Sequence, residues 1–352
     1  NMQNNSIFQT RRNAAIDGMR FIFICLLCPF HCPAVNPFPN GYVAVEFFFV
    51  LAGFFVFQSY RKHSELGTID FILKKIKRFF WPIIISILLL MLLDRKRYIY
   101  LHELSADGIV SQYFNHIPEM FFCQGLHLVN VDSYINVSLW FVSILLIGGA
   151  IIFSLLKNCG HKAIAIILPL TTLLGITYLN SFGDCGLVWR PQLAGSPFDC
   201  DLVRGFTEMG VGVLLAYVYE TKRECVCRHI FLLNIFGVIG FLGMLLIAFA
   251  HKNYDTLTLF LIPMIIMSCL QSNSLFSRVF SGKKWNWLGG VSMHVYFIHM
   301  FVSSVYYIIA SRVPFMQDLS IVFSLVGYLV VCFLSGIALK VVSDKLNKLT
   351  FS

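Results

Sequence analysis

Charge is what this sequence has least of. Only 13% of its 352 residues are Asp, Glu, Lys or Arg, against roughly 25% in a soluble domain. Hydrophobic residues make up 57%, and Phe alone occurs 35 times. That leaves too little polar surface to cover a water-soluble globule. Alternating hydrophobicity is missing too: the apolar segments run on for about 18 residues or more, which excludes an outer-membrane barrel. No internal repeat is visible, so the inverted-repeat signature of many transporters is absent. The first apolar run follows Arg11, Arg12 and Arg20 without a small-residue cleavage site, so no cleavable signal peptide is expected.

What remains is an all-α polytopic membrane protein. Hydropathy places ten spans, at 18–36, 41–60, 79–94, 137–156, 162–180, 204–220, 229–250, 256–272, 289–311 and 318–341. With both termini cytoplasmic, the inside segments hold 19 of the 27 Lys and Arg residues and the outside segments 7, with Arg20 inside the first span. Lys and Arg favour the cytoplasmic side. The same bias accounts for the net charge of +9, so no nucleic-acid partner is expected. Residues 1–352 are expected to form one transmembrane domain, with 1–12 as a flexible tail and no separate soluble domain.

Two long outer loops follow from this topology, at about 95–136 and 181–203. The first is aromatic enough to fold back onto the membrane. The second carries Cys185 and Cys200, which an oxidising exterior allows to pair. Cys25, Cys28 and Cys32 lie near His31 but do not share one helix face, and no metal is expected there.

Ionisable residues inside hydrocarbon are costly and are functional candidates by default. His31 lies well along the first span and Glu46 lies about five residues into the second, joined by a turn through Pro37 and Pro39. Their similar depth suggests a carboxylate that orients an imidazole base, the arrangement of acyl-transfer catalysts. A polar pair that merely ties two helices together reads equally well. Arg20 shares one face with His31, eleven residues and about three turns away, and Asp17 is its expected ion-pair partner. Lys74, Lys75, Lys77 and Arg78 form a basic cluster that suits phosphates and would also serve to set topology.

At this point a resemblance becomes specific. Arg20, ten residues, then His31, followed by Gly41 and Glu46-Phe-Phe-Phe-Val-Leu-Ala-Gly53, resembles the opening of the membrane-bound acyltransferase-3 family, bacterial O-acyltransferases of surface sugars. Lys75-Ile-Lys-Arg78 ahead of Pro82 stands where the family has Arg-x-x-Arg, with Lys in the first place. Leu139-Trp140-Phe141, Arg204-Gly205-Phe206 and the run from Leu288 to His299 are similar to later family segments. The resemblance covers about residues 13–340. It implies transfer of an acyl group, usually acetyl, from cytoplasmic acyl-CoA to a hydroxyl of a surface glycan or lipid-linked sugar, in a bacterial cytoplasmic membrane. His31 would be the general base oriented by Glu46. Arg20, Lys74, Lys75 and Arg78 would hold acetyl-CoA as co-substrate. An acyl-histidine relay is the mechanistic variant.

Other polar residues rank below these. His299, near mid-span, could line the acyl tunnel or the acceptor site, or bond another helix. Arg204 and Glu208 could contact the sugar or pair across one turn. Trp140 suits either sugar stacking or interfacial anchoring. The rival class is a transporter or flippase of a lipid-linked sugar with His31 and Glu46 as a proton relay.

Overall fold

The computed structural model describes residues 12–32, 34–63, 65–100, 117–126, 135–182, 200–250, 254–317 and 319–351. Within them the long elements are ten helices and no strand. In chain order these are α1 (Ala14–Phe30), α2 (Ala44–Lys62), α3 (Thr68–Tyr100), α4 (Trp140–Cys159) and α5 (Leu168–Phe182). They continue with α6 (Cys200–Thr221), α7 (Ile230–Phe249), α8 (Thr258–Cys269), α9 (Lys283–Arg312) and α10 (Ile321–Phe351). Eight helical segments are long and apolar enough to cross a membrane, and α8 with its preceding turn is shorter. The protein is an all-α multi-pass membrane protein.

Several boundaries differ from expectation, with α10 running to Phe351 rather than 341 and α9 starting at Lys283 rather than 289. Two others differ for reasons local to the sequence. The first helix stops at Phe30 rather than near 36. Pro29 removes a backbone donor from its last turn, and Pro33 biases the residue before it away from helix. His31 therefore caps the helix, with its N–H on the Cys28 carbonyl and the Cys32 N–H on that of Pro29. At 17 residues, α1 spans about 26 Å. Its start is fixed by Asn13, whose side chain accepts from the N–H groups of Ala15 and Ile16.

The second difference is α3, which begins at Thr68 rather than 79. Lys74, Lys75, Lys77 and Arg78 therefore sit on helix, not in a loop. Lys and Arg are good helix formers, and the interleaved Phe71, Ile72, Ile76 and Phe79 give the segment an apolar face that packs on the core. Lys75 and Arg78, three residues apart, share a face.

The core is built around α2. Seventy-two per cent of its apolar window lies inside the protein, against 22% for α7 and for α10. It packs against α6, α4, α8 and α1, while α1 also packs against α9 and α9 against α10 and α3. The α2–α6 contact is backbone on backbone. A Cβ on Gly53 of α2 would strike the Met209 carbonyl, and one on Gly212 of α6 would strike the Val50 carbonyl. In lipid, helices associate through packing and polar contacts rather than the hydrophobic effect, and small residues permit that approach. On the far ends of the same helices, Arg61 holds Glu220 through Nη2–Oε1 and Nε–Oε1 bonds of 2.7 and 2.9 Å.

Candidate active site

The residues singled out from sequence fall into two groups. The first surrounds a cavity of about 170 Å³ between α1, α2, α3, α4 and α9. Arg20, Lys75 and Arg78 all line it, and its remaining wall is chiefly aromatic, with Phe48, Phe55, Phe141 and Tyr296. Lys74 does not line it and is exposed. On α2 the wall extends from Phe55 to Phe48, about 10 Å along the helix axis at 1.5 Å per residue. The three cations lie toward the start of α1 and α3, the end that the charge bias assigns to the cytoplasm. Arg20 is steadied by Asp17, 3.1 Å away, and the same buried carboxylate also binds Arg12.

At its other end the cavity reaches Tyr296, and one helical turn further along α9 lies His299. The His299 ring is fully buried. Its Nδ1 lies 2.6 Å from the Tyr296 carbonyl, and its Nε2 has no hydrogen-bond partner among the described residues. A carbonyl oxygen only accepts, so Nδ1 carries the proton and Nε2 the lone pair. The ring of His31 packs beside it, with centroids 5.1 Å apart and planes inclined by 53°. His31 is half-buried at the C-terminus of α1, and its ring also meets Phe30 edge-on at 4.9 Å.

The outer wall is fixed by a polar network that hydropathy does not reveal. The Tyr296 hydroxyl donates to the Ser138 carbonyl. Asn136 Nδ2 donates to the Phe297 carbonyl at 3.2 Å and to Ser86 Oγ at 3.3 Å, while its Oδ1 accepts from Ser138. The buried carboxylate of Glu119 accepts from the Ile135 and Asn136 N–H groups and from Gln124 Nε2, at 2.7, 3.2 and 2.9 Å. In the first outer loop, residues 117–126 pack against the protein through the buried Glu119 and Gln124. Residues 101–116 and Cys185 lie outside the described residues, so the possible Cys185–Cys200 pairing does too.

The second group is a closed ionic cluster. Glu46, with no exposed surface, accepts from Arg204 Nη2 and from Arg204 Nε at 3.2 Å. Arg204 Nε also lies 3.5 Å from Glu208, one turn along α6. The Trp140 ring lies under the guanidinium at 5.4 Å. Close by, Tyr42 donates to Asp255 at 2.6 Å. Here the expectation from depth is corrected: Glu46 is held by Arg204, and no hydrogen bond joins it to His31. Similar depth did not bring the two side chains together, because the intimate α2–α6 crossing turns Glu46 toward α6. Arg204 and Glu208 do pair across one turn, and Trp140 joins them.

Chemically, the first group offers positive charge, an apolar channel and a half-accessible imidazole next to a second one. In the second group the charged side chains of Glu46, Arg204 and Glu208 are all buried. Sequence reasoning missed Asn136 and the pivotal place of Tyr296. An Asn ahead of a helix reads as an ordinary cap, although Asn136 makes no capping bond with its side chain. The family model described as an acyltransferase domain matches residues 13–340. No curated protein matches the chain, and no solved structure does.

Proposed function

The chain belongs to the acyltransferase-3 family and is a multi-pass membrane acyltransferase; from that premise we propose that it moves an acetyl group from cytoplasmic acetyl-CoA to a hydroxyl of a surface or lipid-linked sugar. The observation that carries this reading is the convergence of Arg20, Lys75 and Arg78 on one cavity that reaches Tyr296, one helical turn before His299, whose ring packs on that of His31. Arginine binds phosphate oxygens bidentately and lysine binds them as a point charge. The polyphosphate end of the donor rests at these cations, and the extended pantetheine arm follows the aromatic wall. The thioester then arrives near Tyr296, within reach of His31.

In this mechanism neutral His31 takes the proton of the acceptor hydroxyl as its oxygen bonds to the thioester carbonyl carbon. The tetrahedral intermediate collapses with cleavage of the C–S bond, and the thiolate of coenzyme A takes the proton back from the imidazolium. Glu46 acts at one remove. By neutralising Arg204 it holds α2 against α6, and so fixes the α2 wall that carries Phe48 and Phe55. The membrane is the bacterial cytoplasmic membrane in this reading, with the sugar approaching from the outer face.

Two measurements test it. Coenzyme A at a concentration well above its Kd raises the melting temperature of the purified protein, because a ligand of the native state alone stabilises that state. Purified protein in vesicles moves radiolabel from acetyl-CoA to a glycan acceptor, and folded His31→Ala protein does not. Undiminished transfer by His31→Ala sinks the assignment of the base. Absence of any shift with coenzyme A sinks the donor, and favours a carrier of the sugar itself.

A further inference from the structure

Glu46 was the natural candidate to orient His31, and it is engaged elsewhere, which leaves the base without an orienting partner. We propose that His299 fills that role as a positioning residue: its Nε2 accepts an N–H of His31 and leaves the other His31 nitrogen, with its lone pair, facing the acceptor hydroxyl. The inference rests on the reading of His31 as the base.

Four observations converge on it. His299 is rigidly set, with Nδ1–H on the Tyr296 carbonyl at 2.6 Å. Tyr296 is itself anchored through its hydroxyl to Ser138. The tautomer this fixes places a bare acceptor, Nε2, in a fully buried ring with no hydrogen-bond partner among the described residues. Buried acceptors are nearly always satisfied, and an exception asks for an explanation such as a functional partner. Finally, the His31 ring is 5.1 Å away between centroids. When nitrogens face one another at that separation, the ring edges come within a hydrogen-bond length of about 3 Å. A turn about χ2 of His31, a torsion that is broad and soft, re-aims its ring nitrogens. His31 is half-buried, with Phe30 edge-on to its ring at 4.9 Å.

The proton balance is unchanged by this role. His31 gains the hydroxyl proton and returns it to the departing thiolate, while His299 keeps its own Nδ1 proton throughout. What His299 supplies is orientation, and an acceptor whose bond tightens when His31 becomes an imidazolium.

The test compares His299→Phe, which keeps the ring and loses the acceptor, with His299→Gln, which restores an acceptor. The expected result is a kcat about 100-fold lower for His299→Phe, with KM for acetyl-CoA within twofold and the thermal shift by coenzyme A retained. His299→Gln recovers at least tenfold of that loss. A folded His299→Phe protein with kcat within threefold of the wild type overturns the proposal, as does a glutamine variant no better than phenylalanine. If His299→Phe does not accumulate folded, His299→Leu takes its place under the same criteria. Wild-type protein that fails to transfer acetyl overturns the reading of the site as a whole. Wild-type transfer with an unaffected His299→Phe overturns only the part given to His299.

Discussion

Two clusters of intramembrane charge stand side by side in this protein, and they are built in opposite ways. Around the cavity, Arg20, Lys75 and Arg78 carry three positive charges onto one open space, and Asp17 is the acid that steadies the first of them. Around Arg204, two buried carboxylates and an indole close over a single buried guanidinium. Open charge is an invitation to a ligand of opposite sign. Closed charge is a fastening between helices. Removing a member of each therefore has different consequences, and the contrast can be broken by experiment.

The largest expected effect belongs to the closed cluster. Arg204→Met leaves Glu46 buried and uncompensated at the α2–α6 crossing. Losing one partner of a buried pair costs about 3–5 kcal/mol, so the variant should melt far below the wild type or fail to accumulate. Pairing it with Glu46→Gln should return most of that stability, since a buried pair replaced as a unit is often nearly neutral. Melting curves of the single and double variants in one detergent decide it. If Arg204→Met melts normally and only weakens use of the sugar acceptor, the cluster faces substrate and the contrast fails.

Next comes Arg78→Ala at the open site. A hydrogen bond to a charged group is worth about 1.5–3 kcal/mol, and each 1.4 kcal/mol is about tenfold. KM for acetyl-CoA should rise about 10- to 100-fold with little change in melting temperature. A fall in kcat at unchanged KM would instead place Arg78 in the chemistry rather than in donor binding.

How much of this contrast was legible in the chain follows from which quantities hydropathy encodes. The all-α class and the long helices, eight of them long and apolar enough to cross a membrane, were legible because lipid demands long apolar helices. The basic cluster of Lys75 and Arg78 was legible too, but their shared face was not. The expected span began at 79 and left them in a loop, whereas a helix from Thr68 puts residues three apart on one face. The partner of Glu46 was not legible either. Depth follows from distance to the span ends, but direction around the helix axis follows from which helix lies alongside. Arg204 is 158 residues away in sequence. The pairing of His31 with His299 was hidden for the same reason. The premature end of α1 at Phe30 was written in Pro29 and Pro33, and a reading by hydropathy alone passed over it.

The fastening itself can be probed without touching a charge. Gly53→Ala drives a methyl into the Met209 backbone on α6, and overpacking of this kind costs about 1–3 kcal/mol. Since the same crossing brings Glu46 to Arg204, its loss should appear as lower thermal stability with KM for acetyl-CoA unchanged. A raised KM with normal stability would mean that the crossing controls the width of the cavity instead.

The smallest effect expected is the most discriminating between two accounts of the open site. Lys74 carries the same charge as Lys75 and neighbours it in sequence, but it is exposed and does not line the cavity. If the donor is held by direct contacts, Lys74→Ala should change KM for acetyl-CoA by less than twofold, with stability within about 0.5 kcal/mol of the wild type. If instead the summed positive field of α3 gathers the phosphates, Lys74→Ala and Lys75→Ala should raise KM alike. Salt then separates the two further. Attraction over more than about 8 Å is largely screened at physiological ionic strength, so a field effect fades as salt is added, whereas the contact made by Lys75 persists because its desolvated, half-buried charge is screened less. A Lys74 effect equal to that of Lys75 at low salt and lost at high salt would put the open site's selectivity in its field rather than in its shape.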